Sequence, residues 1–148
     1  MKLVSALAAC IIAFAVAAPV ASQQTPAPTL YKRLGGYDAL AAVTDDFIGR
    51  LAGDPTIGRF FAGHSTDSLK KIRQLVVDQL CFATGGPCVY IGRDMKTSHT
   101  GLGISEKDWE TSVKHLVATL EKFNVPAKEK EEVLTLASTL KKDIVEKP

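Results

Sequence analysis

The sequence predicts an all-α domain, and three observations carry that expectation. Apolar residues recur at spacings of three and four along several long stretches. Each stretch is bounded by a capping residue or by a glycine or proline stop, and none shows the apolar–polar alternation of a strand. A chain of 148 residues has room for one such domain.

Tyr31-Lys32-Arg33-Leu34-Gly35-Gly36 opens the domain, and its glycine pair turns the chain. From Tyr37 to Ala52, residues Leu40, Val43, Phe47 and Leu51 fall on one helical face. Gly53 stops that helix, and Asp54-Pro55 caps a short one carrying Ile57, Phe60 and Phe61. After the turn Ala62-Gly63-His64-Ser65-Thr66, a capped helix is expected over residues 67–84. Leu69, Ile72, Val76, Leu80 and Ala83 are its expected buried stripe, with Gln79 beside it. Gly85-Gly86-Pro87 ends this helix, and residues 88–94 read as loop. A short polar segment, Met95 to Gly103, then carries His99. Ser105 followed by Asp108 has the capping-box spacing and starts a helix through Phe123, with Trp109, Val113, Leu116 and Leu120 on one face. Asn124-Val125-Pro126 breaks it. The last helix, 127–145, buries Val133, Ala137, Leu140 and Ile144. Four or five main helices with short connections make a helix-on-helix architecture.

The N-terminal part stands apart. Lys2 is the only charge before Lys32, and Leu3 to Ala18 is almost wholly apolar. Val20-Ala21-Ser22 then supplies small residues, so residues 1–22 read as a secretory signal peptide. The apolar run is shorter than the roughly 20 residues of a membrane span. Leu7-Ala8-Ala9-Cys10 resembles a lipoprotein box, but the apolar run continues through Ile11, Ile12 and Phe14, so lipid anchoring at Cys10 is not expected. Residues 23–29 are rich in Pro, Gln and Thr and read as a disordered spacer, leaving 30–148 as the domain. The expected destination is the periplasm or the medium, with no membrane partner after cleavage. Cleavage leaves Cys81 and Cys88, which flank the Gly85-Gly86 turn. A local disulfide suits an oxidising compartment, the alternative being two free thiols.

Composition excludes several functions. The formal charge is +2 and nearer zero without Lys2. With no basic stripe, nucleic acid is not an expected partner. The chain holds no phosphate-binding glycine loop, His-Glu-x-x-His pair, zinc-like cysteine spacing or serine nucleophile elbow. Asp45-Asp46 and Glu131-Glu132 sit on otherwise polar faces and read as solvated. What remains is a set of aromatics on separate elements, Phe47, Phe60, Phe61, Phe82, Tyr90 and Trp109, between which a flat apolar ligand fits. An ordinary aromatic core explains the same pattern. His99 by itself reads more readily as a solvated loop residue than as a ligand.

In combination these stretches resemble the truncated haemoglobins. Leu30-Tyr31-Lys32-Arg33-Leu34-Gly35-Gly36 is similar to their opening. Asp46-Phe47-Ile48-Gly49-Arg50-Leu51 through Phe60-Phe61 is similar to their second helix and the aromatic pair after it. Gly85-Gly86-Pro87, Tyr90-x-Gly92 and Met95-Lys96-x-x-His99-x-Gly101-x-Gly103-Ile104 resemble the proximal region of group I. The likeness runs from Leu30 to the C-terminus. It implies a globin-like, two-over-two helical sandwich around a non-covalent haem b. His99 matches the proximal iron ligand, and Phe61 matches the aromatic on the haem face. Phe47, Ile72, Val76, Leu80, Met95 and Trp109 fall at or near haem-lining positions. A neutral imidazole is a good iron ligand and a dry apolar surround tunes the iron. There is no Cys-x-x-Cys-His for covalent attachment.

The chain also departs from the family. Where members often carry a hydrogen-bonding tyrosine after the aromatic matched by Phe47, this chain has Ile48. The stretch between Phe61 and Gly85 is about three residues longer than is typical. Gln79 is the best remaining polar candidate for the ligand side, and Tyr90 the second. The expected function is reversible binding of a diatomic gas, oxygen first, with nitric oxide and carbon monoxide as alternatives. The rivals are a haem enzyme acting on nitric oxide or peroxide, an electron-transfer protein with His64 as second axial ligand and a redox partner, and a haem-free interaction domain. His115, just off an apolar stripe, reads as a structural histidine.

Overall fold

The computed structural model describes residues 26–148. The signal-peptide reading of 1–22 and the first residues of the spacer lie outside them. The described chain is helical, and its one strand-like feature is an isolated bridge between Ser105 and Lys147. In chain order the helices are α1 (Leu30–Arg33), α2 (Gly36–Gly53), α3 (Thr66–Ala83), α4 (Met95–His99), α5 (Glu106–Lys122), α6 (Ala127–Thr139) and α7 (Lys141–Ile144). A 3-10 turn, Gly58–Phe60, lies between α2 and α3.

Order begins ahead of Leu30. The Thr29 side chain caps α1, and the Arg33 guanidinium donates to the Pro28 carbonyl at 3.1 Å. Gly35 (φ 96°) and Gly36 (φ 80°) then turn the chain into α2 in a conformation that costs other residues strain. Helix α2 packs on both α3 and α5, and α5 packs on α6. The core between them holds Leu30, Leu116, Leu120 and Val133, flanked by Val43, Phe47, Val125 and Ala137. Ser105 and Asp108 form the expected capping box at the start of α5.

Four expectations change. The segment read as a polar loop around His99 is a one-turn helix, because the Asp94 carboxylate caps it. The last helix breaks at Leu140, where i→i+3 hydrogen bonds to Ala137 and from Asp143 tighten the turn and redirect α7 towards α4. On α3 the fully buried residues are Val77 and Cys81, the side packed on α2, whereas Leu69, Ile72, Val76 and Leu80 are half-buried and Ala83 is exposed. The acid pairs are not simply solvated, because neighbouring helices bring cations to them. Asp45 takes Arg73 at 2.7 Å, and Glu132 takes Arg33. Asp46 takes Arg50 at 2.6 Å, Thr119 at 2.9 Å and Lys122.

Candidate functional site

The segment leading to His99 is built from local constraints. Gly86 allows the chain to fold back on itself, since a Cβ there would lie 2.7 Å from Cys81 Sγ and 2.6 Å from the Tyr31 ring. Cys81 and Cys88 are joined across this turn, with Cα atoms 5.7 Å apart. Beyond it, the Tyr90 hydroxyl donates to the Arg93 carbonyl at 2.6 Å, and its ring covers Gly92, where a Cβ would meet the phenol oxygen at 2.3 Å. The Tyr90 hydroxyl is thus engaged locally. Asp94 then accepts from the Thr97 amide at 2.7 Å and the Thr97 hydroxyl at 3.0 Å, which starts α4 and holds the Asp94 carboxyl below its ordinary pKa.

His99 closes α4, and its Nδ1 lies 2.7 Å from the Met95 carbonyl oxygen. A carbonyl only accepts, so Nδ1 carries the proton and Nε2 of the neutral ring keeps its lone pair. This fixes both the tautomer and the ring orientation. His99 is half-buried, neither sealed in the core nor free in solvent.

The same intermediate burial marks the residues that the family likeness placed at or near lining positions. Phe47 and Ile48 on α2, Phe61 after the 3-10 turn, and Ile72, Val76, Gln79 and Leu80 on α3 are all half-buried, as are Tyr90, Met95 and Trp109. The packing of α2 on α3, and of the 3-10 turn on α2, brings the first of these onto adjoining elements. Helix α4 has α7 as its main neighbour. Phe82 leaves the aromatic set, because it is 62 % exposed beside the buried Cys81. Gln79 makes no side-chain hydrogen bond among the described residues, so its amide stays available. Thr44, one turn before Ile48, is wholly buried, and its Oγ1 has no partner there either.

The other histidines do different work. His64 is exposed in its turn. His115 Nε2 lies 2.9 Å from Asp54 Oδ2, and Asp54 also accepts from the Thr56 hydroxyl at 2.6 Å and the Ile57 amide at 3.1 Å. The Thr56 hydroxyl, then His115, hold the Asp54 carboxyl far below the usual range. Arg59 brings both oxygens of Asp108 within 2.9 Å of its Nη2, tying the 3-10 turn to the start of α5. Burial pushes Asp108 up, but Ser105 and Arg59 together leave it below its ordinary value. The capping box was readable from spacing, whereas Arg59 lies 49 residues away and left no sequence signal.

Among the described residues no group of three or more His, Cys, Asp or Glu side chains could hold a metal ion. A metal held by His99 would therefore have to bring further ligands with it. A single neutral imidazole and a band of half-buried apolar and aromatic side chains fit haem in that respect. No described helix is long and apolar enough to cross a membrane.

Comparison with known proteins finds similar chains. A family model for bacterial-like globins matches residues 29–146. A group 1 truncated haemoglobin of Chlamydomonas moewusii is 30 % identical over 136 residues, covering 86 % of this chain and 78 % of the relative. Another, from Mycolicibacterium paratuberculosis, is 32 % identical over 116 residues, covering 78 % and 83 %. Among solved structures, the truncated haemoglobin of Tetrahymena pyriformis superposes with a TM-score of 0.73 at 26 % identity, covering 80 % of this chain and 98 % of that one. A 2/2 haemoglobin of a Synechococcus species, whose haem is covalently attached, superposes at 0.69 and 28 % identity, covering 75 % and 91 %.

Proposed function

The chain belongs to the bacterial-like globin family, and from that premise we propose that it binds a diatomic gas reversibly, oxygen first, on a non-covalent haem b held by His99. The observation that carries this reading is the tether between His99 Nδ1 and the Met95 carbonyl, which leaves Nε2 as the one ring atom able to ligate. When bound, a haem would supply an iron that His99 would hold and that could take a gas molecule. The chain's own residues do the rest. Met95 fixes the imidazole. Phe47, Phe61 and Trp109 offer flat apolar surface, while Ile72, Val76 and Leu80 keep water from the gas side. Ile48 cannot donate a hydrogen bond, which leaves Gln79 as the donor able to hold a polarised ligand. Non-covalent attachment is supported by the pairing of Cys81 with Cys88 and of His115 with Asp54.

An enzyme turning over nitric oxide or peroxide needs an acid, base or strong donor on the gas side, and the half-buried residues there are mostly aliphatic. The exposure of His64 gives the electron-transfer reading no support. Export through residues 1–22 belongs to the same proposal, supported by the apolar run Leu3 to Ala18 and by the Cys81–Cys88 pairing.

The test is His99→Gly in haem-reconstituted protein. The five-coordinate ferrous spectrum of the wild type should be lost and should return on adding free imidazole. An unchanged spectrum in the mutant would remove His99 from the iron.

A further inference from the structure

The His99 segment is clasped from outside by the C-terminal tail. Glu146, just beyond α7, accepts from the Gly101 amide at 2.8 Å through one carboxylate oxygen and from the Gly103 amide at 2.5 Å through the other. Both glycines have left-handed backbones, φ 87° and 66°, which turn their N–H groups towards one carboxylate and which other residues adopt only under strain. The tail's backbone secures the same place. The Glu146 and Lys147 amides both donate to the Ile104 carbonyl, at 2.8 and 3.1 Å, and the Glu106 amide donates to the Lys147 carbonyl at 3.1 Å. Gly103 is close to Lys147, since a Cβ there would stand 2.8 Å from its Nζ.

Helix α4 is five residues long and has no fully buried residue. A helix that short does not hold itself in water. Its orientation therefore comes from its ends and its neighbour: Asp94 at the start, α7 alongside, and the Gly101–Gly103 turn just after His99. The Leu102 amide donates back to the His99 carbonyl at 3.1 Å, so that turn is joined directly to His99. One planar carboxylate bonded to two amides fixes the turn's direction as well as its position.

We propose that Glu146 is a positioning residue for His99, its carboxylate clasp on Gly101 and Gly103 setting the orientation at which the imidazole meets the iron. The proposal rests on the reading of His99 as iron ligand. Loss of the clasp frees the turn after His99 and lets the ring tilt, without touching the Met95 tether.

The test compares wild type, Glu146→Ala and Lys147→Ala. Hydrogen exchange of the Gly101 and Gly103 amides, followed by NMR in haem-free and haem-loaded protein, should be about tenfold faster in Glu146→Ala and near wild type in Lys147→Ala. Resonance Raman of the ferrous haem protein should show the iron–histidine stretching band shifted or broadened in Glu146→Ala alone. Glu146→Gln, which keeps one accepting oxygen, should fall between Glu146→Ala and wild type on both measures. Unchanged amide exchange in Glu146→Ala overturns the clasp. Faster exchange with an unmoved band overturns the positioning role while leaving His99 as ligand. An equal band shift in Lys147→Ala overturns it in favour of general tail docking. Failure of the His99 reading shows separately, as an unchanged spectrum in His99→Gly.

Discussion

The segment from Gly85 to Ser105 and the face of α3 from Leu69 to Leu80 are held in place by different means. The first is short, has little apolar surface to bury, and is fixed by a covalent link and directed hydrogen bonds: Cys81–Cys88, Tyr90 to Arg93, Asp94 to Thr97, His99 to Met95. The second belongs to an 18-residue helix anchored on its other side, where Val77 and Cys81 are wholly buried. The Leu69–Leu80 face stays half-buried and almost wholly apolar.

The contrast can be broken first at the covalent link. Cys88→Ser should lower unfolding stability by about 2–3 kcal/mol, the chain-entropy value for so short a loop, as read by urea denaturation. The loss should appear first as faster hydrogen exchange in residues 85–100, with α3 protected. Equal stability of mutant and wild type would mean that the bridge contributes nothing.

On the α3 side, Gln79→Leu should speed oxygen dissociation roughly fivefold, since one hydrogen bond is worth about 1 kcal/mol. Stopped-flow measurement of an unaltered rate would take Gln79 out of the site. Thr44→Val should be neutral or stabilising by up to about 1 kcal/mol, because it replaces a wholly buried, unpartnered hydroxyl with a methyl of like shape. A clear fall in Tm would show that the hydroxyl has a partner in solution.

The last effect is read as a dependence of stability on pH. Arg50, followed by Lys122, holds Asp46 far below the ordinary carboxylate range, and Asp54 is held low by Thr56 and His115. Depressed folded values mean that the unfolded chain takes up protons first on acidification. The stabilisation from these groups is therefore complete above the unfolded value of about 4 and is lost as the pH falls below it. Asp54→Asn should flatten the acid limb of a stability–pH curve. The same slope in mutant and wild type would deny Asp54 that role.

Much of this molecule was legible as sequence. The positions of α2, α3 and α5 follow from apolar spacing and caps, because periodicity of three and four is a local property that survives without neighbours. The capping box at Ser105 and Asp108 was readable for the same reason. His99 was singled out by the family likeness together with the glycines and the cap around it, and a Cys81–Cys88 bridge was one of two readings that their closeness in the chain left open. Which face of α3 is sealed was not legible, since Ile72, Val76, Val77 and Leu80 are equally apolar and only the approach of α2 separates them. Nor was the one-turn helix at His99, whose residues have no apolar period of their own and are ordered by Asp94, by α7 and by a glutamate 45 residues from Gly101. The chain alone determined the long helices α2, α3 and α5 and the place of the imidazole among glycines and a cap. Within α4 the Met95 carbonyl, four residues back, sets which nitrogen of that imidazole is free, and only the tertiary structure decided what holds the turn beyond it, because the Gly101 and Gly103 amides meet a carboxylate that folding brings from 45 and 43 residues away.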